Sequence, residues 1–214
     1  FGKSNILIDT SPDLRHQLLN KKIKSVDQVL YTHMHADQTH GINDLRIFYL
    51  KQKKRIPVYC DKPTAKYLYK NFSYCFKKKY DYPAFLLLKK LKKNFEIRNS
   101  TKKININAIK VKHGLIDTVA YIINKELAYI SDANKFYQKD FNSFKGLKYL
   151  IIDCLRYDKH PSHFNLDDVL RIVKILKPKK TILTNLHSDL DYNKLLKILP
   201  NNILPGYDGL SINI

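Results

Sequence analysis

Tryptophan is missing from this 214-residue chain, methionine occurs once, and glycine only six times. The three cysteines, Cys60, Cys75 and Cys154, are odd in number and show no Cys-x-x-Cys spacing. That argues against a disulfide framework and leaves reduced thiols in a cytoplasmic protein as the simplest reading. No apolar run approaches the roughly 20 residues that span a bilayer. A membrane partner is therefore not expected, and no secretory leader is expected either. Acidic residues are scarce, 19 against 39 lysines and arginines, for a formal charge of +20. Such a charge fits an anionic partner, nucleic acid included. It fits equally a codon bias that enriches lysine, asparagine and isoleucine everywhere.

What is present reads as one globular domain over residues 1–214, since 44% hydrophobic content and this length can bury a substantial core. The chain enters a strand, Ile6-Leu7-Ile8, almost at once, and we expect one or more N-terminal strands to precede Phe1. Ser11-Pro12 open a helix through Leu19. Val26–Tyr31 is the next strand, and 41–50 carries an amphipathic helical stripe. Ile56–Tyr59 is a short strand and Pro63 starts a helix. Residues 104–111 alternate as a half-buried strand. Segments 119–123 and 127–130 flank Asn124-Lys125-Glu126 as a hairpin. Leu150-Ile151-Ile152 is a buried strand and Asn165 caps a helix through Leu176. Strand 181–184, helix 192–199 and a closing strand Leu210–Ile214 complete the chain. Interleaved strands and helices predict layered α/β (α+β) packing, and the hairpin argues against a purely parallel sheet. Residues 72–103 stand apart as an insertion: Tyr74, Phe76, Tyr80, Tyr82 and Phe85 sit among lysine runs. They read as a lysine-decorated surface helix pair, or as a lid with cationic and stacking groups for a phosphorylated ligand.

The chemistry concentrates in Leu30-Tyr-Thr-His-Met-His-Ala-Asp-Gln-Thr-His-Gly41. A buried strand ends, a loop begins, and His33, His35, Asp37 and His40 follow within eight residues. Clustered imidazoles with a carboxylate suit zinc, manganese or iron. Further along, His113, Asp132 and His187 each stand at or just past a strand end.

The His33-x-His35-x-Asp37 pattern closely resembles the metallo-β-lactamase superfamily motif His-x-His-x-Asp-His, with Gln38 where the family usually has histidine. The resemblance implies an αββα four-layer sandwich with two divalent ions, zinc or manganese. It assigns His33, His35 and His113 to the first ion, Asp37 and His187 to the second, and Asp132 to both. It further implies a metal-bridged hydroxide nucleophile, so that Asp37 serves the reaction as well as the metal. Gln38 offers an amide oxygen instead of an imidazole, so the second site should be weaker. His40 is a further candidate ligand or substrate-facing residue. Asp9 would orient the histidine loop from behind by hydrogen bonds.

The runs Ile8–Arg15, Gly41–Arg46, His160-Pro-Ser-His-Phe164 and Tyr207-Asp-Gly209 look like the PhnP-type phosphodiesterases. That likeness implies a small cyclic or nucleotide-like phosphodiester as substrate, with phosphoribosyl 1,2-cyclic phosphate as the group's example. It also makes His163 the general acid toward an alkoxide leaving group. Rival readings are a tRNA 3′-processing ribonuclease of the same superfamily and a degenerate member that only binds metal or nucleotide. Expected partners are a small phosphorylated substrate and, as an allowed association, a second copy in a homodimer. No residue pattern assigns the substrate-binding groups.

Overall fold

The computed structural model describes residues 4–98 and 103–214, and the chain divides into two compact units. The first runs to Lys92 and also takes in Arg98. The second takes Lys93–Ile97 and everything from Lys103 onward.

In the first unit, four strands pair in the order β1 (Ile6–Ile8), β2 (Gln28–Leu30), β3 (Ile56–Cys60) and β4 (Leu86–Lys90), all parallel. Parallel neighbours need crossovers, usually helical. Those here carry α1 (Leu14–Asn20), α2 (Ala36–Thr39), α3 (Arg46–Gln52), α4 (Lys62–Asn71) and α5 (Ser73–Phe76). Leu14, Leu45, Phe48, Leu68 and Phe76 meet Val29, Val58 and Leu86 in one buried cluster. The helix foreseen from Ser11 begins only at Leu14, and no side chain caps it. Gly41 packs against this entry. Its N–H donates to the Thr10 carbonyl at 2.9 Å, and a Cβ on it would lie 1.9 Å from the Ser11 carbonyl oxygen. The Thr10–Ser11 backbone is thus already engaged by the loop that follows the histidines.

The foreseen helix pair over 72–103 takes another form. Only α5 is helical, and the chain then supplies β4 to the first sheet and β5 (Asn94–Arg98) to the second, residues 99–102 lying outside the described set. Leu86-Leu87-Leu88 is an apolar run too short for a helix, and its pairing with β3 settles the choice. Cys75, Phe76, Phe85 and Leu86 are buried core, while Lys77, Lys78 and Lys79 stay exposed.

The second unit continues with β6 (Lys103–His113), β7 (Ile116–Ile123), β8 (Leu127–Ile130) and β9 (Lys135–Phe136). Then come α6 (Gln138–Phe141), β10 (Tyr149–Asp153), α7 (Leu166–Leu176), β11 (Lys180–Thr184), α8 (Tyr192–Ile198) and β12 (Ile203–Pro205). The sheet order is β12-β11-β10-β8-β7-β6-β5, with β9 on β6. Antiparallel β6–β7–β8 gives way to parallel β8–β10–β11–β12. The hairpin expected at Asn124 is present. Asn124 and Lys125 both have left-handed φ, 51° and 58°, and Glu126 N–H closes on the Ile123 carbonyl at 2.9 Å, the geometry of a twisted two-residue turn. Asn165 caps α7 by accepting from the Asp168 N–H at 2.9 Å. Val169, Ile172, Val173 and Leu176 then bury one face of α7 against Leu150, Ile152 and Leu183.

The closing strand foreseen over Leu210–Ile214 does not form. Alternation of Leu210, Ile212 and Ile214 suits a strand, but a strand also needs a ladder, and no described ladder includes these residues. Pro200–Pro205 fills the edge instead through β12. All three cysteines are free and buried, and burial pushes each thiol up to about 12. No described helix is long and apolar enough to cross a membrane.

Helix capping yields a direct prediction. Asp61 accepts from the Thr64 N–H at 3.0 Å at the start of α4. Asp61→Ala should lower unfolding free energy by about 1 kcal/mol, and Asp61→Asn by much less, in urea titrations. Equal losses in the two variants would show that charge, rather than the cap, matters here.

Candidate metal centre and acid–carboxylate dyad

In the first unit the histidine loop is held from behind by Asp9, which follows β1 with a left-handed φ of 61° and is buried. Its carboxylate accepts from the Thr32 N–H at 2.7 Å and the Thr32 hydroxyl at 2.8 Å. The Thr32 hydroxyl, having donated to Asp9, must accept from His33 Nδ1 at 3.0 Å. That places the His33 proton on Nδ1 and leaves Nε2 basic. His33 Nε2 lies 2.9 Å from His35 Nδ1. A hydrogen bond between them needs a proton on His35 Nδ1, and loss of that proton frees both lone pairs for a cation.

The next residues turn elsewhere. Asp37 lies in the first turn of α2, and its Oδ2 accepts from Gln38 Nε2 at 2.7 Å. His40 lies beyond the end of α2 and pairs with the Tyr67 hydroxyl at 3.0 Å, edge-on to Phe72. Its imidazole is engaged with α4 and belongs to no described group of candidate ligands.

In the second unit, His113 ends β6 and is buried. A carbonyl can only accept, so the 2.7 Å contact with the Ser162 carbonyl fixes the His113 proton on Nδ1 and leaves Nε2 for a cation. Asp132 follows β8, and His163 lies in the loop before α7. One ligand atom from each of His113, Asp132 and His163 falls within 4.8 Å of the others, and the His113 and His163 rings meet edge-to-face at 4.6 Å. Neutral imidazoles with a carboxylate are a donor set that suits zinc or manganese.

Sequence reasoning missed Asp153. It ends β10 fully buried, accepts from His163 Nδ1 at 2.8 Å and from the Ala133 N–H at 2.9 Å, and takes Asn185 Nδ2 at 3.1 Å. Burial pushes its carboxyl above the ordinary carboxylate range, and the His163 hydrogen bond only partly offsets this. The available signal was a lone carboxylate ending the apolar run Leu150-Ile151-Ile152, beside another strand end carrying Asn185. His187, foreseen as a ligand, is turned outward. Its side chain is 59% exposed, with Nδ1 held by Asp189 Oδ1 at 2.9 Å, and it joins no described group of candidate ligands.

A model of the beta-lactamase superfamily domain matches residues 4–185, and the chain belongs to that superfamily. It superposes on the crystal structure of a new diphosphatase from the PhnP family with a TM-score of 0.89 at 28% identity, covering 100% of this chain and 81% of that one. The short form of human tRNase Z superposes with a TM-score of 0.71 at 14% identity over 98% and 88% of the two chains, which shows a shared fold. A protein of Porphyromonas gingivalis named octanoyltransferase is 31% identical over 96% of this chain. The chain spans only 41% of that relative's length, and the name describes the whole relative.

Proposed function

We propose that the chain is a metal-dependent phosphodiesterase acting on a small cyclic or nucleotide-like phosphodiester. The observation that carries this reading is the Asp153–His163 dyad beside His113 and Asp132. The resemblance makes His33, His35, His113 and Asp132 metal ligands, and the tautomers above leave His33 and His113 each with Nε2 opposite its anchored Nδ1. Divalent zinc or manganese, when bound, supplies Lewis acidity and lowers the pKa of a water. The chain's own residues do the rest. Asp9 and Thr32 fix His33 in one tautomer. Asp153 fixes the His163 proton at Nδ1, so that Nε2 is the nitrogen able to carry a second proton to a departing alkoxide. The lysine-rich surface favours approach of an anion.

Metal-loaded protein should hydrolyse bis(p-nitrophenyl) phosphate and leave nitrocefin intact; the reverse pattern would place it on the lactam branch. A second reading, cleavage of a phosphoanhydride, is favoured by the diphosphatase named among its structural relatives. Assaying ribose cyclic phosphate, a dinucleoside diphosphate and a tRNA precursor side by side separates these activities. Turnover confined to the precursor would sink the small-substrate reading.

A further inference from the structure

Resting on the phosphodiesterase reading above, we propose that the cavity beside Asn185 holds a neutral, hydroxyl-bearing sugar, the end of the substrate that does not react. All the residues involved lie in the second unit. Parallel strands β10, β11 and β12 finish at Asp153, Thr184 and Pro205. Parallel α/β sheets bind ligands outside such carboxyl ends. Asn185 follows β11, and Tyr207-Asp208-Gly209 follows β12. Gly206 lets the two segments approach. Its N–H donates to the Leu183 carbonyl at 2.8 Å, and a Cβ on it would lie 2.7 Å from that oxygen. The Leu210 N–H then closes a turn on the Tyr207 carbonyl at 3.0 Å, with Gly209 at a φ of 90°, a value that favours glycine. Between these segments is a cavity of about 450 Å³, lined by Asn185, Tyr207 and Asp208 and by the apolar Ile182, Leu210 and Ile212. That volume falls in the range of roughly 300–1,000 Å³ common to small-molecule sites.

The chemistry of the lining selects the occupant. Asn185 Nδ2 lies 3.1 Å from Asp153 Oδ1 and 3.5 Å from Asp132 Oδ1. The amide thus turns its N–H groups to the carboxylates and keeps Oδ1, an acceptor, for a ligand. The Asp208 carboxylate adds further acceptors. Acceptors call for O–H donors. Among the described residues lining this cavity, none is lysine, arginine or histidine. A second phosphate here would meet a carboxylate and no counter-charge, whereas a sugar hydroxyl would meet the partners it needs. Tyr207 is 57% exposed and stands edge-on to Tyr192 at 6.1 Å, offering a ring face on which the C–H face of a sugar buries apolar surface. Asn185 touches both this cavity and Asp153, the residue that orients His163. A sugar held there has its ester oxygen next to the proposed acid. The basic surface draws an anion in, and this corner sorts it by what else it carries.

Methyl β-D-ribofuranoside, titrated into the metal-loaded full chain, should give saturable NMR shifts at the Tyr207 and Asp208 amides and the Asn185 side-chain amide. Its 2,3-di-O-methyl ether lacks two hydroxyl donors and should bind about tenfold more weakly. No saturable shift at these residues, or equal binding of the ether, would overturn the proposal. In turnover, ribose 1,2-cyclic phosphate should show a kcat/KM about tenfold above that of its 5-phosphate. Asp208→Lys should reverse that preference, and a ratio of two substrates on one variant is insensitive to partial misfolding. A 5-phosphate turned over as well or better by the unaltered chain would overturn the proposal, as would a folded Asp208→Lys that keeps the original preference. If that variant fails to fold, the titration and the ratio on the unaltered chain decide alone. The titration involves no reaction. Shifts without hydrolysis of any phosphodiester would therefore sink the functional reading and spare this one, and hydrolysis without shifts would do the opposite.

Discussion

His163→Ala should lower turnover on a phosphodiester with a poor alkoxide leaving group by roughly 10²–10⁴-fold. A substrate that releases p-nitrophenolate needs little protonation, so its rate should fall far less. The contrast is the diagnostic, because damage to the fold or to metal binding would depress both rates alike. His163 also lies within ligand distance of His113 and Asp132, so a direct metal role is the competing account. Metal content separates the two. An acid leaves the bound ion in place when truncated, whereas a ligand takes it away. Equal loss on both substrates, or loss of the ion, would remove the acid role from His163.

The second large effect concerns stability. Asp153→Ala should reduce unfolding free energy by about 3–5 kcal/mol. Two terms oppose each other. Removing a fully buried carboxylate relieves its desolvation, which is what raises its pKa. It also strips the acceptor from the Ala133 N–H, His163 Nδ1 and Asn185 Nδ2. The Ala133 N–H and His163 Nδ1 then lack this acceptor at about 1–3 kcal/mol each, which outweighs the relief, whereas the exposed Asn185 can turn to Asp132 or water. His163→Ala removes only one of these donors and should be much milder. Urea titrations of the two variants make the comparison, and an Asp153→Ala midpoint near that of the unaltered chain would contradict it.

Much of this was legible in the chain. The mixed α/β class, the Asn124–Lys125 hairpin and the Asn165 cap follow from local periodicity and turn chemistry, and those signals are short-range. His33-x-His35-x-Asp37 was legible because its residues are adjacent in sequence. Three features were not, each for a physical reason. Leu210–Ile214 has a strand's pattern, but only a partner makes a strand. Leu86–Lys90 sits amid lysines that suggest surface helix, and its fate was decided by pairing with β3. The roles of Asp153, Asn185 and His187 depend on how strand ends are aimed. The resemblance placed His187 in the ligand series, while at the end of β11 it is Asn185, with a left-handed φ, that reaches Asp153, and His187 pairs with Asp189 at the surface.

The histidine loop is fastened at both ends. Thr32 is tied to Asp9 at its start. At its close, the Gln38 carbonyl accepts from the Thr10 N–H at 2.7 Å and the Gly41 N–H returns to the Thr10 carbonyl. Little chain entropy remains to be lost when an ion arrives, so affinity is governed by the donor atoms themselves instead of by a folding step. Ions can then exchange without the loop unravelling. Selectivity falls to coordination preference, because a frame this stiff cannot widen or contract to welcome an ion of the wrong radius.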